Sequence, residues 1–378
     1  MWRKTHAQNP RRLALAAVAK ETRAETPAIA AALPHLDPAK SEKLELETLP
    51  PLDPAKCPRF TLPGRSADLI FGTTMRVYNQ DSFDAAICMP SSVLGFNDPP
   101  TPRRATKIVE ADILERLRSL AASPENLESS TAARVAVLNM ASDRNPGGGW
   151  LSGASAQEEA LCFRSTLAAS LHRNLYPIQR RAGLYTRDVV IFRTSMANEH
   201  KLLVPETTPA ELPVVSVLSV AGIRRPSVKP AAEQTSDETA KGTSKVDEQE
   251  PENTSSSEPR HGKGKPFKGP LVFADPAARE LTKDKMRLCL RMAAARGHTM
   301  LVLGALGCGA FRNPPREVAA CWAEVLAETE FAGGWFKEIW FAVYDRRNEG
   351  NFEIFQEAFD GKVAGELRLC SVDSEVSV

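Results

Sequence analysis

Three consecutive glycines, Gly147, Gly148 and Gly149, stand eight residues ahead of Gln157, which is followed directly by two acids, Glu158 and Glu159. Carboxylates placed at a ligand can move protons as general acid or base. Acids in a first helical turn also have a plain structural use, since each gains about 0.3–1 kcal/mol from the helix dipole, and Gln157 would then be an ordinary first-turn polar residue. The glycines argue for more than helix entry, because a loop without Cβ atoms can take positive φ and let its backbone approach a ligand closely. A second loop, Gly304-Ala-Leu-Gly307-Cys308-Gly309-Ala310-Phe311, can aim several backbone N–H groups at one anion. The helix expected to start near Pro314-Pro315 adds partial positive charge there. A tight turn that needs glycine for shape alone would read the same way.

Both loops follow apolar runs with the length of buried strands. Arg134 to Met140 leads into the glycine triplet and Met300 to Gly304 into the second loop, while Gln157 to Ser170 has the composition of a helix. Asp68 to Tyr78, Asp188 to Arg193, Pro213 to Val220 and Lys337 to Tyr344 read as further strands. Lys107 to Ala122, Asp275 to Arg296, Arg316 to Glu328 and Asn351 to Phe359 read as helices, with Leu281, Leu288 and Met292 sharing one face. Continuously apolar strands alternating with helices imply a sheet covered on both faces, an α/β/α sandwich whose ligands sit beyond the strand ends.

The chain of 378 residues carries 42% hydrophobic and 25% charged residues, ordinary for one large domain with extensions. Its net charge of +1 builds in no long-range attraction to nucleic acid, so any anion must be held locally. Seven cysteines without a Cys-x-x-Cys or Cys/His cluster suggest neither a disulfide framework nor a metal site, and fit a reducing compartment. No apolar run approaches the ~20 residues that span a bilayer. Residues 1–63 are expected to be a helical extension followed by a connector, because Pro34 to Pro63 holds seven prolines. Residues 64–365 are the main domain, interrupted by a low-complexity insertion at 224–268 expected to be disordered, and 366–378 a flexible tail. The basic opening lacks acids until Glu21, which suits a mitochondrial presequence or an ordinary amphipathic helix. Arg260 to Lys268 has the composition of a weak nuclear signal.

The glycine triplet with its Gln-Glu-Glu resembles the signature of the microbial-type poly(ADP-ribose) glycohydrolases, enzymes of the macrodomain superfamily. The loop from Gly304 to Phe311 is similar to that family's diphosphate loop, and Arg11 to Thr22 to its leading helix. The resemblance runs over roughly residues 60–360. It implies a three-layer macrodomain with a mixed sheet, working as a monomer on poly(ADP-ribose) or ADP-ribosylated proteins, without cofactor, metal or membrane and without sequence-specific contact to nucleic acid. A nuclear or cytoplasmic setting follows, with a mitochondrial one the lesser alternative. The reaction implied is hydrolysis of the ribose–ribose O-glycosidic bond at polymer ends, releasing ADP-ribose through an oxocarbenium-like transition state. A non-catalytic ADP-ribose reader and a mono(ADP-ribosyl) hydrolase stay open beside it.

Carried over by position, Glu159 is the acid/base, Glu158 orients ribose hydroxyls and Gln157 is a polar positioner. Gly147, Gly148 and Gly149 line the substrate. Gly304, Gly307, Cys308, Gly309 and Ala310 cradle the diphosphate, and Phe311 packs near the terminal ribose. Phe311 as a core aromatic and Cys308 as a small apolar filler are the competing readings. Asn139 matches an asparagine near the distal ribose, though an Asn capping a turn at a strand end has the same pattern, and Asn145 is open to either use. No residue is assigned to an adenine; Phe192 and Asp68 qualify by position alone. His172 and His200 read as surface or satisfied polar groups. Family members tend to carry an aromatic at the place of Leu306 and a bulkier aliphatic at Ala310, a change that would loosen the ribose pocket. One tension is physical: a helix start lowers a carboxyl pKa, whereas a general acid needs it raised, so burial, the neighbouring acid or the substrate's diphosphate must reverse the shift.

Overall fold

The computed structural model describes residues 9–62, 70–93, 134–231 and 269–368. Eight strands form one mixed sheet in the order β1-β4-β5-β3-β8-β9-β2-β10. They are β1 (Glu42–Glu45), β2 (Ile70–Tyr78), β3 (Val135–Met140), β4 (Ala182–Val190), β5 (Val214–Val220), β8 (Met300–Leu303), β9 (Glu338–Ala342) and β10 (Val363–Arg368). The central run β5-β3-β8-β9-β2 is parallel, and antiparallel strands flank it. Two further strands, β6 (Val228–Pro230) and β7 (Leu271–Phe273), make a separate antiparallel pair.

Side-chain alternation along each central strand feeds two cores. Val135 and Val137 of β3, Val215 and Val217 of β5 and Val302 of β8 join the core beneath helices α1 (Pro10–Ala31), α2 (Ser82–Val93), α3 (Gln157–Arg164) and α4 (Leu167–Ser170). Ala136, Leu138, Leu218, Leu301 and Phe341 point the other way, toward α5 (Pro276–Ala295), α6 (Pro315–Leu326) and α7 (Asn351–Phe359). The result is the expected three-layer α/β/α sandwich. No helix among the described residues is long and apolar enough to cross a membrane.

Several expectations need correction. The helix expected from Gln157 to Ser170 breaks at Ser165, which is extended and bridges Ile191. Its hydroxyl donates to the Leu161 carbonyl and accepts from Leu167 N, and Thr166 exchanges bonds with Val190, so side-chain hydroxyls outcompete the helical ladder. The strand expected at Asp188 to Arg193 instead covers Ala182–Val190, with an irregularity between Thr186 and Val189. The proline-rich stretch is no mere connector, since β1 pairs with β4 at the sheet edge and Leu46 and Leu62 are buried. An edge strand needs partners on one side only, so a short polar segment suffices. Within the insertion expected to be disordered, Val228–Pro230 pairs with Leu271–Phe273; residues 232–268 lie outside the described residues, as does the helix expected at Lys107 to Ala122. Part of the tail expected from residue 366 is strand, because β10 continues to Arg368 by pairing with Ile70; residues 369–378 lie outside the described residues.

The N-terminal extension is part of the core. Leu15, Ala19 and Ile29 of α1 pack with Phe163 and Leu167, Thr22 Oγ1 donates to the Phe163 carbonyl at 2.7 Å, and Glu21 pairs with Arg193 at 2.6 Å. The start of α1 presses on the loop that follows the glycine triplet. Gly153 has φ +74, and a Cβ there would sit 2.0 Å from the Arg12 carbonyl oxygen. Gly153→Ala therefore combines a left-handed alanine with a backbone clash, and should cost about 2–4 kcal/mol in urea unfolding while exposing α1 to protease. An unchanged midpoint would refute this account of the contact.

Candidate active site

β3, β5 and β8 are parallel neighbours, so the loops leaving their carboxyl ends emerge on one edge of the sheet. The glycine triplet follows β3 and the second glycine loop follows β8. They meet at their roots, where a Cβ on Gly304 would lie 3.5 Å from the Met140 methyl. A third loop, after β5, completes the edge. Gly222 abuts Gly307, Asn313 Nδ2 donates to Ile223 O at 2.6 Å and to Gly307 O at 3.0 Å, and Arg225 N donates to Phe311 O at 2.8 Å.

Gln157 is a clamp more than a substrate ligand in this structure. Its Oε1 accepts from Met140 N at 2.9 Å, while its Nε2 donates to Leu138 O at 2.7 Å and to Ser82 Oγ at 3.2 Å, pinning the start of α3 against β3 and α2. The acids that follow are thereby fixed at the strand end. Glu159 is bound through both oxygens, Oε1 accepting from Gly149 N and Oε2 from Ala156 N, each at 2.9 Å. A carboxylate has about four lone-pair directions, so two remain for other donors. Gly148, at φ +61, covers the pair: a Cβ there would lie 2.5 Å from Glu159 Oε1 and 3.0 Å from Glu158 Oε2.

Glu158 is more deeply held, 4% exposed against 8% for Glu159. Its Oε2 accepts from Ser142 N at 2.7 Å, but its Oε1 is buried without a hydrogen-bond partner among the described residues. Asn139 sends Nδ2 to Ser219 Oγ at 3.0 Å and leaves Oδ1 equally unpartnered. Burial pushes the Glu158 carboxyl up to about 8; the Ser142 amide opposes the shift, the Glu159 charge adds to it, and the nearby Asn139 side chain and Gly147 amide oppose it without completing a bond to Oε1. The upward shift thus falls on Glu158, the neighbour of the residue expected to act as the acid, and desolvation is its main cause.

The remaining expectations sort by burial. Cys308 is buried and its thiol is pushed well up by desolvation, which makes it an apolar filler rather than a nucleophile. Leu306 is buried, Phe311 is half-buried, and Gly309 and Ala310 are exposed, with open space around Gly309. Asn145 is exposed and its carbonyl accepts from Gly148 N, closing the turn. Phe192 is wholly buried in the core and cannot face an adenine; Asp68 lies outside the described residues. His200, expected at the surface or satisfied, is buried beside Phe163 with neither ring nitrogen hydrogen-bonded among the described residues, and burial lowers it to about 4.

Other supports were not foreseen. Asp81 and Asp84 at the start of α2 both pair with Arg164, which is 1% exposed at the end of α3 and also donates to the Arg193 carbonyl. Asp81 Oδ1 further accepts from Phe83 N, capping α2. An Asp–Ser pair before an apolar run was a readable cap, but Pro90 within the same stretch argues against a helix. Ser82, Ser142, Ser219 and the Gly222–Ile223 turn act through single atoms or backbone, and of these Gly222, two residues after β5, is the one whose type hints at a turn. No group of three or more His, Cys, Asp or Glu among the described residues could hold a metal ion.

A three-layer sandwich with two glycine-rich loops and an acid pair on one parallel edge defines the chain as a macrodomain-type α/β protein. Residues 67–196, which hold β2, α2, β3, the glycine triplet and both acids, match the model of the family described as "Microbial-type PARG, catalytic domain". Among solved structures the chain is similar to a poly(ADP-ribose) glycohydrolase (PARG) from Thermomonospora curvata, at 22% identity and a TM-score of 0.54, covering 91% of this chain and 99% of that one. The same bacterium's enzyme bound to the inhibitor ADP-HPD matches at 21% identity and TM-score 0.52, with coverage of 91% and 99%. The Deinococcus radiodurans enzyme in complex with ADP-ribose matches at 22% identity and TM-score 0.50, covering 88% of this chain and 96% of that one. At these identities the likeness establishes the shared fold. No curated protein sequence matches the chain.

The Glu158 shift has a measurable consequence. An unfolded glutamate titrates near ~4.3, whereas Glu158 in the fold titrates at about 8. Between these values the unfolded chain has released a proton that the native state retains, so this group's contribution to stability is present in full below the lower value. It is lost as pH rises toward 8, at up to about 1.4 kcal/mol per unit. Glu158→Gln keeps an oxygen for Ser142 N and removes the titrating proton. The variant should equal the wild type near pH 4.5 and exceed it by a few kcal/mol at pH 8 in chemical denaturation. Parallel stability–pH curves would show that Glu158 is not held neutral.

Proposed function

We propose that the chain hydrolyses the ribose–ribose O-glycosidic bond at the ends of poly(ADP-ribose), releasing ADP-ribose, with Glu159 as acid/base. The observation that carries this reading is the seating of Glu158 and Glu159 under Gly148 at the end of β3, beside the glycine loop that ends β8. Backbone N–H groups of that loop suit a diphosphate and need no lysine, in keeping with the near-neutral chain. The unpartnered Asn139 Oδ1 suits a ribose hydroxyl as acceptor, and Glu158 Oε1, which carries the proton while that carboxyl is neutral, suits a second hydroxyl as donor, since a buried polar atom left unpaired is costly. With the ribose held so, Glu159 gives a proton to the leaving ribose oxygen as the C–O bond breaks. Water then adds to the anomeric carbon and returns its proton to Glu159.

Two backbone bonds hold the Glu159 carboxyl in place, which lowers the entropic cost of the proton transfer. ADP-ribosylated proteins are the wider partner class, and a monomer in the nucleus or cytoplasm is the setting we assign. All six cysteines among the described residues are free, which supports a reducing compartment.

Purified protein incubated with automodified polymer and, separately, with mono-modified protein should release ADP-ribose from the polymer. Glu159→Gln should lower kcat by about 10²–10⁴-fold and keep affinity for ADP-ribose within a few-fold. Binding without release from either substrate would make the protein a reader of ADP-ribose ends; release from the mono-modified protein alone would move it to the mono(ADP-ribosyl) hydrolases. Gly148→Ala, which places a methyl among the carboxylate oxygens, should match Glu159→Gln in lost turnover. Near-normal rates in that variant would mean that the close packing of the acids is not needed.

A further inference from the structure

Two groups of arginines on this protein differ in their surroundings. On α5 every arginine of the outer face meets acids: Arg279 pairs with Glu317 and Glu324, Arg287 with Glu280, Asp284 and Glu328, and Arg291 with Glu330. At the rim of the glycine loops the pattern reverses. Arg224 and Arg225 leave the turn after β5, and Arg312 leaves the loop after β8; all three are exposed, and none pairs with a carboxylate among the described residues. The segments around them contain no Asp or Glu at all, from Ala221 to Ala231, from Gly269 to Ala274 and from Met300 to Arg316. Lys229 is exposed on the same stretch of chain.

The backbone brings these cations together. Arg225 N donates to the carbonyl of Phe311, the residue before Arg312, and Asn313, the residue after it, donates to Ile223 O. Arg225 and Arg312 both adopt left-handed backbone, at φ +48 and +57, where glycine or asparagine would be less strained. Cations are thus kept at strained positions, clustered without a carboxylate partner among the described residues, at the mouth of the glycine loop that follows β8. Solvation of surface charge does not require such clustering, and a phosphate-bearing partner would relieve it.

We propose that Arg224, Arg225 and Arg312 form an outer anion subsite that binds the diphosphate of the ADP-ribose unit adjoining the one in the cleft, so that affinity rises with chain length. The proposal rests on the reading of the chain as an enzyme of poly(ADP-ribose). The outer unit adds attachment remote from the scissile bond. It holds the chain near the acids between successive cuts, and it does not alter the chemical step.

The test is the triple variant Arg224→Gln, Arg225→Gln, Arg312→Gln in the full chain, with far-ultraviolet circular dichroism as the folding control. Kinetics would be measured on size-fractionated polymer, short and long, and binding by filter retention of long polymer and by calorimetry with free ADP-ribose. The expected result is a KM on long polymer raised about 5-fold or more, with kcat and ADP-ribose affinity unchanged. The slope of log K against log salt should fall by about 2, as three contacts at about 0.7 each require. The triple lysine variant should restore most of the loss. Equal loss of affinity for free ADP-ribose would overturn the proposal, since the arginines would then serve the cleft unit. So would an unchanged KM and salt slope, or tighter retention of single-stranded RNA with the same number of phosphates. Should the wild type cut no polymer, the enzymatic reading fails, and filter retention of long polymer by wild type and variant still decides whether the arginines bind it.

Discussion

Three hydrogen bonds from one amide side chain set the position of everything at the active edge. Gln157 is the first residue of α3, and by bonding to Met140 N, Leu138 O and Ser82 Oγ it joins a helix start to a strand end and to the helix opposite. Without that clamp the helix could slide or rotate on β3, and the adjacent acids would sweep through different directions, since neighbours on a helix diverge by about 100°. With it, Glu158 is driven inward to meet Ser142 N and Glu159 is caught between Gly149 and Ala156. The glycine triplet is a consequence of the same docking, because at position 148 the acids come closer than any Cβ would permit. What looks in the sequence like a ligand-binding glycine run is at this position first a demand of the carboxylates themselves.

Charge is managed locally throughout. Two adjacent acids next to a diphosphate would be an electrostatic liability if both were ionised. Burial keeps a proton on Glu158 up to about 8, so below that pH the site carries less negative charge than its composition suggests. On the proposed reading, the phosphate side would use the complementary device of backbone dipoles, which give partial positive charge without the mobility or desolvation cost of a lysine. Mobile cations are placed farther out, on the rim, where solvent reduces their cost.

How far the sequence could be read depended on whether a residue acts by type or by contact. The strands were legible because burial on both faces leaves an unbroken apolar run, and the acids and both glycine loops were legible because their spacing is unusual. Helix ends were less so: Ser165 and Thr166 stop α3 through bonds to Leu161 and Val190, the second of which is distant in sequence. The division of roles between the acids was invisible, since Glu158 and Glu159 differ only in what surrounds them. The edge strand Glu42–Glu45 was hidden by prolines on either side, and Asp81, Asp84 and Arg164 read as ordinary surface charges until the fold brings them together. His200 misled in the same way, as nothing local marks a histidine that long-range packing will enclose.

The buried triad of Asp81, Asp84 and Arg164 also explains why the amino-terminal helix is tied to the acid pair. Arg164 ends α3, ties it to α2 through two aspartates and reaches the Arg193 carbonyl; Arg193 in turn bonds His200 O and Glu21 of α1. A buried cation of this kind contributes little net stability, because desolvation offsets most of the attraction, but breaking one partner is costly. Such a network therefore acts as a constraint on geometry more than as a source of stability. It fixes the far end of the helix whose near end Gln157 clamps, and α1 closes the arrangement by pressing Arg12 on Gly153 and Thr22 on Phe163. An eight-residue helix has too few internal bonds to hold two carboxylates steady by itself. Held at both ends and covered by a third element, it can, and the rigidity of the acid pair is a property of four segments that lie far apart in the chain.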